Sequence, residues 1–196
     1  MGSRIERLRE RLAGREPRRL PPVAPEFLPE GGLRNAAVLV PLFVRGGEEQ
    51  VLLTLRRMEL RRHAGQVSFP GGSIEPGEEP LQAALREAEE EIGLDPARVE
   101  VLGRLDDTLV LTTGFCLTPW VGLVPYPYPY VAHPREVEEI LYVPLPALAR
   151  PGVHRTEEWE VLGRPGLVHF YELPDLTVWG ATARVLYQLL SLWGPP

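Results

Sequence analysis

The sequence has no lysine, a single cysteine and no long apolar run. All 21 basic residues are arginine, which excludes Schiff-base chemistry on lysine and a P-loop that depends on lysine. Cys116 stands alone, so an internal disulfide is impossible and a reducing compartment is favoured. No apolar stretch approaches the roughly 18 residues that a membrane helix needs. We therefore predict a cytoplasmic protein with no membrane partner.

Size and charge narrow the class of protein further. The chain of 196 residues is 44% hydrophobic, which suits one sizeable globular domain with extensions. Its formal net charge of −6 at pH 7 argues against non-specific nucleic-acid binding, which needs a basic surface. We therefore expect no nucleic-acid partner.

The N-terminal part has a pattern of its own. Apolar residues at helical spacing predict a short helix there; they are Ile5, Leu8 and Leu12. Residues 16–32 are too rich in proline for regular structure and indicate an extended connector. We divide the chain into a helix and Pro-rich arm at 1–32 and a main domain at 33–196. The arm packs on that domain or on a second subunit, in which case the protein is a homodimer.

The main domain mixes strand and helix patterns. Residues 36–44 predict a strand broken at Pro41, and 48–57 its hairpin partner across Gly46-Gly47. Residues 178–193 predict an amphipathic C-terminal helix. Further β-like runs lie at 99–105, 118–126, 138–145 and 159–173. We expect an α/β protein with a mixed β-sheet that is covered by helices on its faces.

A second helix is predicted to begin near Pro80 and to end at Gly93, a residue type typical of helix C-caps. We expect one stripe of it to be buried, formed by Leu81, Leu85, Ala88 and Ile92. A different face carries Glu87 and Glu91, with Glu90 beside them.

The charge on this helix is locally unfavourable. Like charges four residues apart destabilise a helix, and Glu87 and Glu91 lie near its C-terminal end, the negative pole of its dipole. A divalent cation would relieve the repulsion, and carboxylate oxygens suit Mg²⁺ or Mn²⁺. A solvated acidic face is the alternative, since most Glu-rich helices bind nothing.

The spacing of the stretch favours the metal site. Its fixed positions are Gly72, Glu78, Arg86, Glu87, Glu90, Glu91 and Gly93. This pattern resembles the Nudix box, so the chain is identified as similar to the Nudix hydrolases. The resemblance implies a Nudix-type α/β/α sandwich and the metal-dependent cleavage of a diphosphate linked to a nucleoside.

The resemblance also implies roles for single residues. Glu87 and Glu91 would be metal ligands, and Glu90 a further ligand or the group that helps to deprotonate the attacking water. Gly72 would lie near the metal through its carbonyl. These three glutamates are the expected catalytic residues. Glu78 and Arg86 would pair to hold loop and helix together, so their expected role, like that of Gly93, is structural.

Four arginines precede the box. Arg57 and Arg62 suit an exposed basic loop, whereas Arg56 and Arg61 are our candidates for substrate binding, because arginine makes bidentate contacts with phosphate. Residues 52–72 resemble the coenzyme A diphosphatase branch of the family, which implies a coenzyme A-like nucleotide as the partner. Arg57 departs from that branch. Further residues that resemble it lie at 113–115, 118–119, 178–180 and 182–183.

The sequence leaves more than one role open for Glu136 and for the tryptophans. Glu136 precedes a predicted strand and could supply an additional acid, although solvated charge is the simpler interpretation. The four tryptophans suit the core or an interface, and one could instead stack on adenine. Two alternatives to coenzyme A hydrolysis remain: hydrolysis of another nucleoside diphosphate derivative such as ADP-ribose, and a non-catalytic Nudix scaffold that binds nucleotide.

Overall fold

The computed structural model describes residues 4–20, 32–58, 65–110, 114–161 and 164–194. It contains four α-helices in this part of the chain: α1 (Arg4–Ala13), α2 (Pro80–Ile92), α3 (Leu145–Leu148) and α4 (Gly180–Trp193). No described helix is both long enough and apolar enough to cross a bilayer.

The main sheet is mixed and is built around the longest strand. Its strands are β1 (Arg34–Arg45), β2 (Glu48–Arg56), β3 (Val67–Ser68), β4 (Gly71–Ser73), β5 (Glu100–Arg104), β6 (Thr108–Val110), β7 (Phe115–Leu123) and β8 (Val137–Pro144). β1 runs parallel to β7 and antiparallel to β2 and β4, and β8 extends the sheet beyond β2. The predicted mixed sheet is confirmed.

β1 continues through Pro41, so the predicted break at this residue is wrong. Pro41 has no N–H to donate. β1 pairs with β4 at residues 36–38 and with β2 at residues 42–45, and Pro41 lies between these two registers. The proline therefore occupies a point of the strand where neither antiparallel partner requires a donor.

Each face of the sheet buries its own core. On β1, Val38, Val40 and Leu42 point to one side, where α1 and α4 pack against them. Ala37, Leu39 and Phe43 alternate to the other side, where α2 packs. Helices on both faces of one sheet confirm the predicted α/β/α sandwich.

A separate three-stranded antiparallel sheet precedes the last helix. It consists of β9 (His154–Val161), β10 (Arg164–Leu173) and β11 (Leu176–Trp179) in the order β11-β10-β9. The single strand-like run predicted at 159–173 therefore contains all of β10 but only the end of β9, because residues 154–158 at the start of β9 are mostly polar. α4 begins at Gly180, two residues later than predicted, since Val178 and Trp179 belong to β11.

Candidate active site

α2 lies close against the sheet because its buried face is made of small residues. Ala83, Ala84, Ala88 and Ile92 are fully buried, and Gly93 ends the helix in the left-handed conformation, with φ of 68°. Leu81 and Leu85, which the sequence predicted in the buried stripe, are only half-buried. The buried face is thus rotated toward the alanines, and the rotation carries Glu91 into the interior.

Glu91 is the most buried acidic side chain of the box. The residue is 3% exposed, and its Oε2 accepts a hydrogen bond of 3.1 Å from the backbone N–H of Gly71. Its Oε1 lies 3.2 Å from Nη1 of Arg56. Burial raises the pKa of Glu91 to about 7, with smaller increases from the charges of Glu87 and Glu136 and decreases from Arg56 and Gly71.

Glu87 lies on the preceding turn, facing the glycine loop. Its Oε1 accepts a hydrogen bond of 2.9 Å from Nη1 of Arg86. Burial raises the pKa of Glu87, although the neighbouring Arg86 acts in the opposite direction. A Cβ atom added to Gly72 would overlap the Glu87 carboxylate. Only glycine leaves room for this carboxylate against the loop backbone.

Arg86 joins the loop to the helix. Its Nε and Nη2 lie 2.9 and 3.1 Å from the two carboxylate oxygens of Glu78, and Nη2 also donates to the carbonyl of Ser73 at 3.1 Å. The hydrogen bond from Arg86 lowers the pKa of Glu78, as does one from the backbone N–H of Glu75. This bidentate contact is the geometry that holds the loop before α2 in place.

The predicted metal ligands lie near one another, but their carboxylates do not surround a common point. Glu90 is 60% exposed and lies 3.5 Å from Nη1 of Arg86. Within the described ranges no three acidic, histidine or cysteine side chains form a metal-binding cluster. Arg86 and Arg56 instead act as counter-ions for Glu87 and Glu91.

The donor set nevertheless suits a hard divalent cation. Carboxylate oxygens are the ligands that Mg²⁺ and Mn²⁺ prefer. Besides burial, the charges of Glu90 and Glu136 raise the pKa of Glu87, and those of Glu87 and Glu136 raise the pKa of Glu91, so a bound cation would relieve repulsion among these carboxylates. The glycine at position 72 keeps the loop backbone against this pair.

Glu136 is brought to the site by the loop between β7 and β8, which runs past the C-terminus of α2. In this loop the N–H of His133 donates to the carbonyl of Glu91 at 2.9 Å, and the N–H of Val131 donates to that of Ile92 at 3.0 Å. These bonds satisfy carbonyls that a helix end leaves without partners. Glu136 is close enough for its charge to raise the pKa of both Glu87 and Glu91.

The two candidate substrate-binding arginines have different outcomes. Arg56 lines the pocket beside the loop and also contacts Glu91, which the sequence did not predict. Arg61 lies outside the described residues. Arg57 forms an ion pair of 3.3 Å with the half-exposed Glu138, in keeping with the surface position expected for it.

A pocket of about 300 Å³ opens beside Gly71 and Gly72. Its walls come from β1, β7, the segment before β4 and the start of α4; they include Phe69, Phe115, Trp179 and Thr182. The sequence reasoning did not assign these residues to a site. The signal that could have found them was the set of branch-like residues at 113–115, 178–180 and 182–183, of which Phe115, Trp179, Gly180 and Thr182 line the pocket.

Comparisons with known proteins agree with this geometry. The family model described as the NUDIX domain matches residues 33–164. The protein named "Uncharacterized Nudix hydrolase NudL" from Cronobacter sakazakii is 41% identical over 157 residues, which cover 80% of this chain and 81% of that protein. The protein of the same name from Escherichia coli is 39% identical over the same shares.

A solved structure shows the same fold at greater distance. The crystal structure of a MutT/nudix family protein from Enterococcus faecalis superposes with a TM-score of 0.56 at 18% identity. It covers 96% of this chain and 73% of that one. The chain therefore belongs to the Nudix hydrolase family and is a pyrophosphohydrolase.

Proposed function

We propose that this enzyme hydrolyses the diphosphate bond of coenzyme A, or of its derivatives, in a reaction that depends on Mg²⁺ or Mn²⁺. Water attacks a phosphorus atom of the diphosphate, and the bond from that phosphorus to the bridging oxygen breaks. The products are 4′-phosphopantetheine and adenosine 3′,5′-bisphosphate. The observation that carries the proposal is the buried carboxylate of Glu91 together with the partly buried carboxylate of Glu87, both held against a glycine loop at the edge of the pocket.

The charges at this edge require an additional cation before a diphosphate can bind. Four carboxylates lie at or near the edge, those of Glu87, Glu90, Glu91 and Glu136, and a polyanionic substrate would be repelled by them. Glu87 and Glu91 would hold the metal, with Glu90 and the carbonyl of Gly72 as further oxygen donors. A bound divalent cation lowers the pKa of water and neutralises charge on the phosphates.

The other side chains have roles that follow from their contacts. Arg56 and the N–H of Gly71 fix both oxygens of Glu91, so this carboxylate is oriented before substrate arrives. Glu90 is 60% exposed and therefore has room to accept the proton of the attacking water. Glu136 is the second candidate for this proton, because its loop lies beside the same carboxylates.

Coenzyme A is favoured over other nucleoside diphosphate derivatives by the pocket. Residues that resemble the coenzyme A diphosphatase branch line it together, among them Phe69, Phe115, Trp179 and Thr182. Arg56 of the same pattern also lines the pocket. ADP-ribose is the alternative substrate, and a scaffold that only binds nucleotide is the non-catalytic alternative. The cytoplasmic setting and the homodimer remain predictions.

A substrate panel tests the proposal. Purified protein is assayed in Mg²⁺ and in Mn²⁺ with coenzyme A, ADP-ribose and a nucleoside triphosphate, and the products are identified by mass spectrometry. We expect the highest kcat/KM for coenzyme A, and activity that disappears in EDTA and in Glu91→Gln. Glu89→Gln is the matched control, since Glu89 is an exposed residue of the same helix. A higher kcat/KM for ADP-ribose overturns the coenzyme A assignment, and no hydrolysis of any substrate supports the binding scaffold.

A further inference from the structure

Trp179 occupies the junction between the small sheet and the pocket. It is the last residue of β11 and precedes the first turn of α4. Its side chain lines the pocket, yet the residue is 39% exposed. A large aromatic ring that is neither in the core nor fully in solvent offers a face to a ligand.

The ring is held in place by other aromatic residues on the outer face of the small sheet. Trp179 is paired with Phe170 across β10 and β11, and their rings are nearly parallel, with centroids 6.4 Å apart. Trp159 of β9 lies 6.0 Å from Trp179. The guanidinium of Arg155 covers Phe170 at 4.2 Å and binds Glu172 at 2.7 Å. Trp179 is therefore a supported platform, and little order would have to be gained when a ligand stacks on it.

The wall of the pocket combines two kinds of residue. Arg56, Gly71 and Gly72 belong to the part of the wall that adjoins the acidic site. Phe115 and Trp179 contribute aromatic surface to the same wall. The guanidinium of Arg34 lies 4.1 Å from the centre of the Phe115 ring, so a positive charge accompanies this aromatic surface. A ligand that matches both kinds of residue has a diphosphate and an aromatic, negatively charged group.

We propose that Trp179 is a specificity-determining residue that stacks on the adenine of the substrate, with Arg34 attracting the phosphate on the adenosine ribose. The proposal rests on the proposed function and deepens it by assigning the two halves of the substrate. The positive charge of Arg34 decides which half lies at Trp179. The adenosine half carries an extra phosphate, whereas the pantetheine half has no charge beyond its own phosphate. The pantetheine half then extends away from Trp179.

Direct binding of the two reaction products tests this assignment without any turnover. Calorimetric titrations use adenosine 3′,5′-bisphosphate and 4′-phosphopantetheine with wild type, Trp179→Ala, Trp179→Phe and Leu167→Ala. Leu167 is the matched control, because it is an exposed apolar residue of the same small sheet and is not among the residues that line the pocket. Stacking of one base on an aromatic ring changes affinity by about 5- to 150-fold.

We expect Trp179→Ala to weaken adenosine 3′,5′-bisphosphate binding at least fivefold and to leave 4′-phosphopantetheine within twofold of wild type. Trp179→Phe restores most of the affinity, and Leu167→Ala changes the binding of neither ligand. In Arg34→Gln, the preference for adenosine 3′,5′-bisphosphate over adenosine 5′-monophosphate falls at least threefold. Equal binding by wild type and Trp179→Ala, or a loss confined to 4′-phosphopantetheine, overturns the assignment. These binding measurements do not depend on the proposed reaction. If the proposed reaction is wrong, the substrate panel shows no hydrolysis of coenzyme A, while adenosine 3′,5′-bisphosphate still binds.

Discussion

Glu91 illustrates how one residue combines a stability cost with a functional requirement. Its carboxylate is 4% exposed, with one arginine and one backbone N–H as hydrogen-bond donors. Burial outweighs both donors and raises its pKa to about 7. The folded state therefore binds a proton more tightly than the unfolded state, and ionised Glu91 lowers the free energy of unfolding at alkaline pH. A bound cation would offset this cost.

Gly72 is the second residue whose identity follows from the site. Ala at this position would place its Cβ in the Glu87 carboxylate, which can move aside because it is the end of a flexible side chain. We expect Gly72→Ala to lower kcat at least tenfold while the free energy of unfolding changes by less than about 1 kcal/mol. Steady-state kinetics and urea denaturation measure the two effects.

Gly166→Ala is the control for this change. A Cβ added to Gly166 would meet nothing closer than the Trp159 carbonyl at 4.0 Å. Gly166 lies in β10 and is not among the residues that line the pocket. It should retain wild-type kcat. Full activity in Gly72→Ala would show that the Glu87 carboxylate need not stay against the loop.

At the scale of elements, α4 is attached to the small sheet by a histidine cluster. Nε2 of His154 and Nδ1 of His169 lie 2.9 Å apart, and Nη1 of Arg184 lies 3.1 Å from Nε2 of His169. Arginine only donates, so Nε2 of His169 accepts and its Nδ1 carries the proton that is donated to His154. Tyr171 and Tyr187 complete the cluster. Both imidazoles are therefore neutral in this arrangement.

This cluster should make the fold sensitive to acid. Burial, with the charges of Arg184 and His154, lowers the pKa of His169 to about 4 from 6.5. In the unfolded chain His169 binds a proton near pH 6.5, whereas in the folded chain it stays neutral until about pH 4. The contribution of His169 to the free energy of unfolding is therefore complete above pH 6.5 and is lost as the pH falls toward 4. Between pH 7.5 and 5.0, we expect wild type to lose about 2 kcal/mol more than His169→Gln.

Urea unfolding of both proteins at the two pH values measures this difference. The opposite contribution of Glu91 is the same in both proteins and cancels. Ser191→Ala, at an exposed residue of α4 that does not titrate in this range, should keep the wild-type acid response. An identical acid response in His169→Gln would mean that His169 is not the group responsible.

Some features of these elements were predictable from the sequence and others were not. The turn at Gly46-Gly47, the cap at Gly93 and the spacing of the box were predictable because each depends on residues close in the chain. The rotation of α2 was not, because contact with β1 favours Ala83 and Ala84 over the larger leucines. The contact of Arg56 with Glu91 was also not predictable from the sequence, because these residues come together only in the tertiary fold. The pocket was missed for the same reason.

At the scale of the whole molecule, α1 contributes to the same core as the sheet and α4. Ile5, Leu8 and Leu12 are buried there. Arg9 forms an ion pair with Glu100 of β5, and Arg15 with Asp106 just beyond that strand. The N–H of Arg18 also donates to Asp106 at 2.8 Å. Residues 4–18 are therefore attached to the body of the protein along the β5 side.

Removal of one α1 side chain from this core should destabilise the whole chain. Leu8 is 0% exposed, and Leu8→Ala should lower the free energy of unfolding by about 2–5 kcal/mol through lost burial and a cavity. Glu10→Ala, on the exposed face of α1, should change it by less than about 0.5 kcal/mol. A single cooperative urea transition with a reduced midpoint supports this account. An unchanged midpoint in Leu8→Ala would show that α1 does not contribute to the core in solution.

Binding of Mn²⁺ tests the central claim most directly, because it examines the carboxylates apart from substrate and turnover. Electron paramagnetic resonance measures free Mn²⁺ during titration of wild type, Glu87→Gln, Glu91→Gln and Glu89→Gln. We predict that wild type and Glu89→Gln bind Mn²⁺ with similar affinity, and that Glu87→Gln and Glu91→Gln each weaken binding at least tenfold. Wild-type affinity in Glu87→Gln and Glu91→Gln would contradict the assignment of these two glutamates as the metal ligands.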